Sequence, residues 1–175
     1  MSFFQESKMA KVIVLVEELY EDLELWYPKL RLEEASHQVI VAGPLASHIY
    51  NGKHGYPCKA EMSFKEALLV PAAAVVIPGG YAPDRIRRFP EALQIVQKSF
   101  SEGKIIAFIC HGGWVPISAK IVKGKKVTSF IAIKDDLENA GALWQDNQVV
   151  VDGNLISSRH PADLPFFAKA IVDLM

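Results

Sequence analysis

Short apolar runs recur along this chain, and stretches with helical spacing of apolar and polar positions separate them. Runs that are apolar at nearly every position are typical of strands buried on both faces of a parallel sheet. They occupy residues 11–16, 38–42, 72–77 and 105–109. The intervening segments predict helices over residues 22–35, 63–69 and 90–101. Past the fourth run we expect a short strand at 126–130, helices at 133–140 and 163–175, and a hairpin of 148–151 with 154–157.

This alternation predicts an α/β fold in which helices cover both faces of a mostly parallel sheet. In such sheets, functional sites collect at the carboxyl ends of the strands, where the strand order switches direction. Polar or glycine-rich segments follow three of the predicted strands, at 17–21, 78–80 and 110–113. We therefore expect these three segments to meet in one site.

Composition narrows the classes of function. The 175 residues are 50% hydrophobic and carry a net charge of −1, without a basic run, which argues against nucleic acid or a membrane surface as partner. We expect one domain over residues 9–175 and a mobile N-terminal extension over residues 1–8. The N-terminal segment does not have the pattern of a secretory signal, so we expect a cytoplasmic protein whose two cysteines are reduced. Neither a zinc-ligand spacing nor a phosphate-binding glycine motif is present, so we expect no metal and no cofactor.

Cys110 is the candidate nucleophile, because it stands where a buried strand turns into a helix. An isolated cysteine in this position is more often a packing residue. Gly112 and Gly113 alter that balance, since glycine permits the sharp turn that presents a nucleophile. The N-terminus of the helix is expected to lower the thiol pKa and to stabilise an oxyanion. We interpret Cys58, which has no such context, as structural.

Other candidates flank this cysteine in sequence or in the predicted site. His111 either serves as a base or points to solvent and contributes only its backbone N–H. The backbone N–H of Gly79 or Gly80 would complete an oxyanion site with that of His111. Asp84 either caps the next helix or orients a histidine. Glu21 is the candidate carboxyl group for sharing a proton with the thiol, and spacing alone leaves three competitors open: Glu17, Glu18 and Glu24.

Matches in order along nearly the whole chain show that the sequence resembles the PfpI branch of the ThiJ/PfpI superfamily. They are EDLEL with YP (21–28), GKHG (52–55), IPGG (77–80), APD (82–84), ICHG (109–112), IKDDL with NAG (133–141), VVVDGN (149–154) and SSR with PADL (157–164). The resemblance implies a flavodoxin-like three-layer sandwich of the class I glutamine amidotransferase type. It also implies that Cys110 is a nucleophile on a strained elbow, with Glu21 bonded to its sulfur and His111 as partner. Asp84 would complete the triad from a neighbouring subunit, in a homodimer or hexamer.

Two positions depart from the pattern of these relatives. Gly113-Trp114 replaces the proline that commonly follows Cys-His-Gly, and Phe130 stands where related sequences often have tyrosine. The resemblance implies a cysteine-dependent hydrolase in stress defence, of deglycase, glyoxalase-like or peptidase/amidase type, acting on small carbonyl adducts or peptides. The alternative is a redox-sensing or chaperone-like stress protein, in which Cys110 is oxidised instead of turning over substrate.

Overall fold

The computed structural model describes residues 9–175; the predicted N-terminal extension, residues 1–8, lies outside the described residues. The strands are β1 (Lys11–Leu15), β2 (Gln38–Gly43), β3 (Ile49–Asn51), β4 (Pro57–Lys59), β5 (Met62–Ser63), β6 (Ala74–Ile77), β7 (Ile105–Ile109), β8 (Lys126–Val127), β9 (Leu143–Trp144), β10 (Val149–Asp152) and β11 (Leu155–Ser158). The helices are α1 (Asp22–Glu34), α2 (Phe64–Ala67), α3 (Ala82–Ile86), α4 (Pro90–Ser101), α5 (Trp114–Ser118), α6 (Lys134–Asn139) and α7 (Leu164–Leu174).

The central sheet has seven strands in the order β10-β11-β7-β6-β1-β2-β5. Neighbouring strands run parallel, apart from β10, which pairs antiparallel with β11 in the predicted hairpin. Strands β1, β6 and β7 are buried almost throughout, as their continuous apolar runs predicted. The mostly parallel, flavodoxin-like α/β fold predicted from the sequence is therefore confirmed.

The strand order reverses between β1 and β6. From β1 the chain crosses through α1 to β2 on one side, and from β6 it crosses through α4 to β7 on the other. Because parallel crossovers are right-handed, these two helices cover opposite faces of the sheet, and α7 packs beside α1. The segments after β1, β6 and β7 thus meet at the carboxyl ends of these central strands, as predicted.

Most boundaries agree with the pattern to within a residue, and three differ by more. The predicted strand at 126–130 pairs only over Lys126–Val127, since the chain then enters a turn at 131–133. The strand predicted to begin at residue 72 begins at Ala74. The helix predicted over 63–69 spans only Phe64–Ala67, where Ser63 and Glu66 form a capping box. Within residues 9–175, no helix combines the length and the apolar character that crossing a membrane requires.

Candidate active site

Cys110 sits on a sharp elbow immediately after β7. Its φ is +60°, in the left-handed region that side chains disfavour by about 1–2 kcal/mol, and its side chain is almost fully buried. A Cβ on Gly112 would lie 2.5 Å from the carbonyl oxygen of Ile77, and one on Gly79 would lie 2.7 Å from the Cβ of Cys110. Two glycines therefore allow the elbow and the segment after β6 to touch, which fixes the position of the sulfur.

Glu24 is the carboxyl group beside this sulfur. It is fully buried, and its Oε2 accepts a hydrogen bond of 2.8 Å from the backbone N–H of Gly79. Its Oε1 has no hydrogen-bond partner among residues 9–175. Burial raises the pKa of Glu24 to about 8, while the Gly79 N–H and an interaction with Cys110 oppose the rise. Because it is neutral at pH 7, Glu24 holds a proton that it can exchange with the sulfur or a bound substrate.

The thiol of Cys110 is protonated in the resting site. Burial, followed by the proximity of Glu24 when that group is ionised, raises its pKa to about 12, against backbone N–H groups of His111 and Gly80 that lower it. The expected lowering by a helix N-terminus does not dominate, because α5 has only five residues and the sulfur is largely excluded from water. The thiol therefore needs a base to become a nucleophile.

His111 is placed to be that base. Its Nδ1 lies 3.3 Å from the Cys110 sulfur. Burial lowers the pKa of His111, as does the nearby charge of Lys53, so the ring is neutral at pH 7 and its Nδ1 can accept the thiol proton. The ring is held by Phe130, with centroids 5.1 Å apart, and by Trp114, 5.2 Å away. The sequence left open whether this side chain points to solvent; it faces the sulfur.

Glu21 lies in the same cavity but has another partner. Its carboxylate pairs with Lys53 at 2.5 Å and approaches His54 at 3.8 Å. The structure thus differs from the sequence prediction, since Glu24 takes the place beside the sulfur that was assigned to Glu21. The reason is that Glu21 precedes the first turn of α1, whereas Glu24 lies three residues inside it and reaches the loop after β6.

Three residues near Lys53 offer oxygen or nitrogen atoms within 4.8 Å of one another: Glu21, Asp22 and His54. These atoms already have partners. The two carboxylate oxygens of Asp22 accept backbone hydrogen bonds of 2.9 Å from His54 and Tyr56, and Glu21 is paired with Lys53. We therefore assign this cluster a structural role in fixing the loop over the site.

The predicted oxyanion donors separate into two roles. The backbone N–H groups of Gly80 and His111 are directed at Cys110, where they lower its pKa. The N–H of Gly79 is already bonded to Glu24, so it is not free to bind an oxyanion. Gly80 has φ of +78°, and a Cβ there would lie 2.5 Å from backbone atoms of Glu21 and Leu19. Of the predicted donors, the N–H groups of Gly80 and His111 therefore face the sulfur, and that of Gly79 does not.

Asp84 does not contact the thiol or the histidine in this subunit. It lies in the first turn of α3, pairs with Arg88 and has a side chain that is 48% exposed. It faces a neighbouring cavity of about 530 Å³, which shares Tyr81 and Trp114 with the cavity at Cys110.

The cavity at Cys110 has a volume of about 260 Å³ and is lined by side chains from several loops at the carboxyl ends of the parallel strands. Besides Glu24, which the sequence left open as a competitor, six of its residues were not among the predicted site residues: Lys53, Tyr81, Trp114, Phe130, His160 and Pro161. The signal for His160 was present, because it follows β11, a strand whose neighbour carries the candidate nucleophile. Its whole lining is Glu21, Glu24, Lys53, Gly80, Tyr81, Cys110, His111, Trp114, Phe130, His160 and Pro161.

Known proteins resemble this chain in both sequence and fold. The DJ-1/PfpI family profile matches residues 10–174. The chain belongs to the DJ-1/PfpI family. It is 46% identical over 165 residues to deglycase PfpI of Pyrococcus furiosus, covering 94% of this chain and 99% of that protein. Deglycase TK1284 of Thermococcus kodakarensis is also 46% identical, with the same coverage.

Solved structures of the DJ-1/PfpI family share the fold. A two-domain protein from Anabaena variabilis, containing DJ-1/ThiJ/PfpI-like and ferritin-like domains, has a TM-score of 0.92 and 43% identity over 94% of this chain. The present chain spans 48% of that protein's length. Drosophila melanogaster DJ-1beta has a TM-score of 0.90 and 25% identity, covering 95% of this chain and 90% of the fly protein.

Proposed function

We propose that this protein is a thiol-dependent deglycase, which removes an α-oxoaldehyde such as methylglyoxal from an amine. The observation that carries the proposal is the Cys110 elbow, with a base on one side of the sulfur and a protonated carboxyl group on the other. The names of relatives at 46% identity, which cover 94% of the chain, support the same activity. A cavity of about 260 Å³ accommodates a small adduct at the end of a longer side chain.

The substrate is an adduct in which the amine nitrogen and a hydroxyl share one carbon. As the C–N bond breaks, its electron pair goes to nitrogen, which gains a proton, while the hydroxyl loses its proton and becomes a carbonyl. The sulfur of Cys110 then adds to that carbon, and the thiol proton passes to Nδ1 of His111, 3.3 Å away. The resulting oxyanion faces the N–H groups of Gly80 and His111, which are directed at this point.

Product formation requires a proton transfer between neighbouring carbons. The carbon bonded to sulfur loses a proton and the adjacent carbonyl carbon gains one, while the oxygen of that carbonyl takes the proton held by His111, which converts the adduct into a 2-hydroxyacyl thioester. Glu24 has a pKa of about 8, so it can donate and take back a proton near neutral pH. Water then cleaves the thioester, and sulfur recovers a proton. The sum is adduct plus water giving amine plus 2-hydroxy acid, without an external oxidant.

Asp84 enters this proposal only through a second subunit. It is half-exposed on the cavity next to the site, and that cavity shares Tyr81 and Trp114 with the one at Cys110. We infer that a neighbouring subunit of a homodimer or hexamer covers this face, and that Asp84 of one subunit orients His111 of the other. A cytoplasmic setting, in which both free cysteines stay reduced, is part of the same proposal.

The test measures amine release and 2-hydroxy acid formation from methylglyoxal-treated N-acetyl-lysine. The Cys110→Ala variant should lose both by at least a hundredfold, whereas Cys58→Ala, which removes the other buried thiol, should keep them. Both variants are compared by circular dichroism to confirm that they fold. Equal activity of wild type and Cys110→Ala would overturn the proposal.

A further inference from the structure

His160 flanks the nucleophile from the side of the sheet that Glu24 does not reach. Strand β11 runs parallel to β7, with Ser158 opposite Ile109, and adjacent strands lie about 4.8 Å apart. Cys110 is one residue beyond this pair on β7, and His160 is two residues beyond it on β11. Both side chains line the same cavity, into which Glu24 reaches from the opposite side, beyond β6.

The imidazole of His160 is oriented by a buried carboxylate. Its Nε2 lies 3.7 Å from Oδ2 of Asp163, whose side chain is only 2% exposed. Asp163 is fixed in turn by Arg159, whose Nε and Nη2 donate hydrogen bonds of 2.8 and 3.2 Å to its two oxygens. A carboxylate at this distance from an imidazole restricts the orientations of the ring. The side chain of His160 remains 40% exposed, so the ring is open to a bound molecule.

Apart from Tyr81, which is 67% exposed, the other ionisable groups of the cavity each have a contact within the site. Glu21 and Lys53 neutralise each other, Glu24 is bonded to Gly79, and His111 is directed at the sulfur. Phe130, where relatives often carry a tyrosine hydroxyl, offers no proton. Glu24 reaches the cavity from the opposite side, so on the side that Phe130 and His160 share, His160 is the group that can protonate a leaving atom.

We propose that His160 is the acid that protonates the amine as it leaves the adduct. This inference rests on the proposed deglycase function and names the residue for one of its steps. The C–N bond breaks, its electron pair stays with nitrogen, and the proton from the imidazolium of His160 completes the neutral amine. The proton lost by the carbinol hydroxyl returns the imidazole to its charged state, so the step is balanced without a co-reactant.

The test compares two substrates: the methylglyoxal adduct of N-acetyl-lysine, and free methylglyoxal, which has no amine to release. Only the first requires protonation of an amine. The His160→Gln variant should lower the ratio of adduct to free-aldehyde activity by about a hundredfold, in the range of general acid catalysis. His48→Gln, which removes an exposed histidine beside Glu18 and Tyr50 that does not line the cavity, is the matched control and should leave the ratio unchanged.

A second variant distinguishes a chemical role of His160 from a purely structural one. In His160→Ala, added imidazole should restore the adduct activity at least tenfold, which a defect in folding would not allow. The double variant His160→Gln with Phe130→Tyr should recover part of the ratio, because it returns a hydroxyl to the same side of the cavity. An unchanged ratio in His160→Gln, or no rescue by imidazole, overturns the role of His160. Such a result leaves the Cys110 test intact, whereas an active Cys110→Ala variant would overturn the deglycase function itself.

Discussion

Replacing Glu24 by glutamine should remove a large part of the pH dependence of stability. Glu24 is buried and its pKa is raised from 4.5 to about 8 by burial, so the folded state holds a proton that the unfolded chain releases. The stability that this proton provides is fully present below the unfolded pKa. It falls as pH rises above that value, and the loss is complete once pH exceeds the folded pKa of about 8.

The magnitude follows from the two pKa values. Each pKa unit corresponds to about 1.4 kcal/mol, and linkage between 4.5 and about 8 gives a loss of roughly 4 kcal/mol between pH 5 and pH 9. Glutamine keeps an oxygen to accept the Gly79 N–H but cannot ionise. The free energy of unfolding of Glu24→Gln should therefore decline less than that of wild type by about this amount over the same range.

Urea unfolding at pH 5, 7 and 9, followed by tryptophan fluorescence and circular dichroism, measures this difference. Glu102→Gln is the matched control, because Glu102 is exposed and follows helix α4, far from the elbow. Its stability should run parallel to that of wild type at all three pH values. If the difference between Glu24→Gln and wild type is constant from pH 5 to pH 9, Glu24 is not the protonated partner of Cys110.

Three further outcomes test the elbow. The rate of Cys110 alkylation by iodoacetamide should keep rising through pH 9, since burial raises the thiol pKa to about 12, and a plateau below pH 8 would contradict this. Cys110→Gly should be more stable than Cys110→Ala by about 1 kcal/mol in urea, because φ is +60° and only glycine is unstrained there; equal stability would argue against strain. Gly112→Ala should cost about 1–3 kcal/mol, measured by the same unfolding, because its Cβ would lie 2.5 Å from the Ile77 carbonyl oxygen, and an unaffected stability would refute the close approach.

The sequence predicted which strand ends form the site better than it predicted the side-chain contacts made there. Continuous apolar runs specify buried parallel strands, and right-handed crossovers then determine that the ends of β1, β6 and β7 meet. The start of α1 at Asp22 was predicted, but the choice between Glu21 and Glu24 depends on which side chain reaches the loop after β6. Periodicity does not determine that tertiary contact, so the carboxyl partner could not be selected from the sequence.

The thiol pKa shows a second limit of inference from sequence. A strand-to-helix turn indicates N–H groups near the sulfur, and these do lower the pKa of Cys110. Sequence does not show how much water the side chain keeps, and here burial is the larger effect. The length of the helix matters as well, since α5 ends at Ser118 after five residues.

Gly113 and Trp114, the departure from the proline pattern, have a packing explanation. A Cβ on Gly113 would lie 3.0 Å from Ile133 and 3.1 Å from Phe108, so the position has little room for a side chain. Trp114 follows in helical geometry, where its Nε1 donates a hydrogen bond of 2.8 Å to Asp136. The helix start is therefore held by tertiary contacts in place of the fixed φ of proline.

The resting nucleophile, its neighbouring base and its buried carboxyl partner are all uncharged, which explains why the nucleophile can be so deeply buried. An isolated thiolate in this position would lose its hydration, and a carboxylate at Glu24 would repel it, so each group keeps its proton. The neutral imidazole of His111, 3.3 Å from the sulfur, then becomes charged only when sulfur attacks a carbon and the oxyanion forms. Opposite charges appear together, on the imidazolium and on the oxygen facing Gly80, so neither is buried alone. This coupling of charge formation to bond formation means that substrate, and not a standing thiolate, determines when Cys110 reacts.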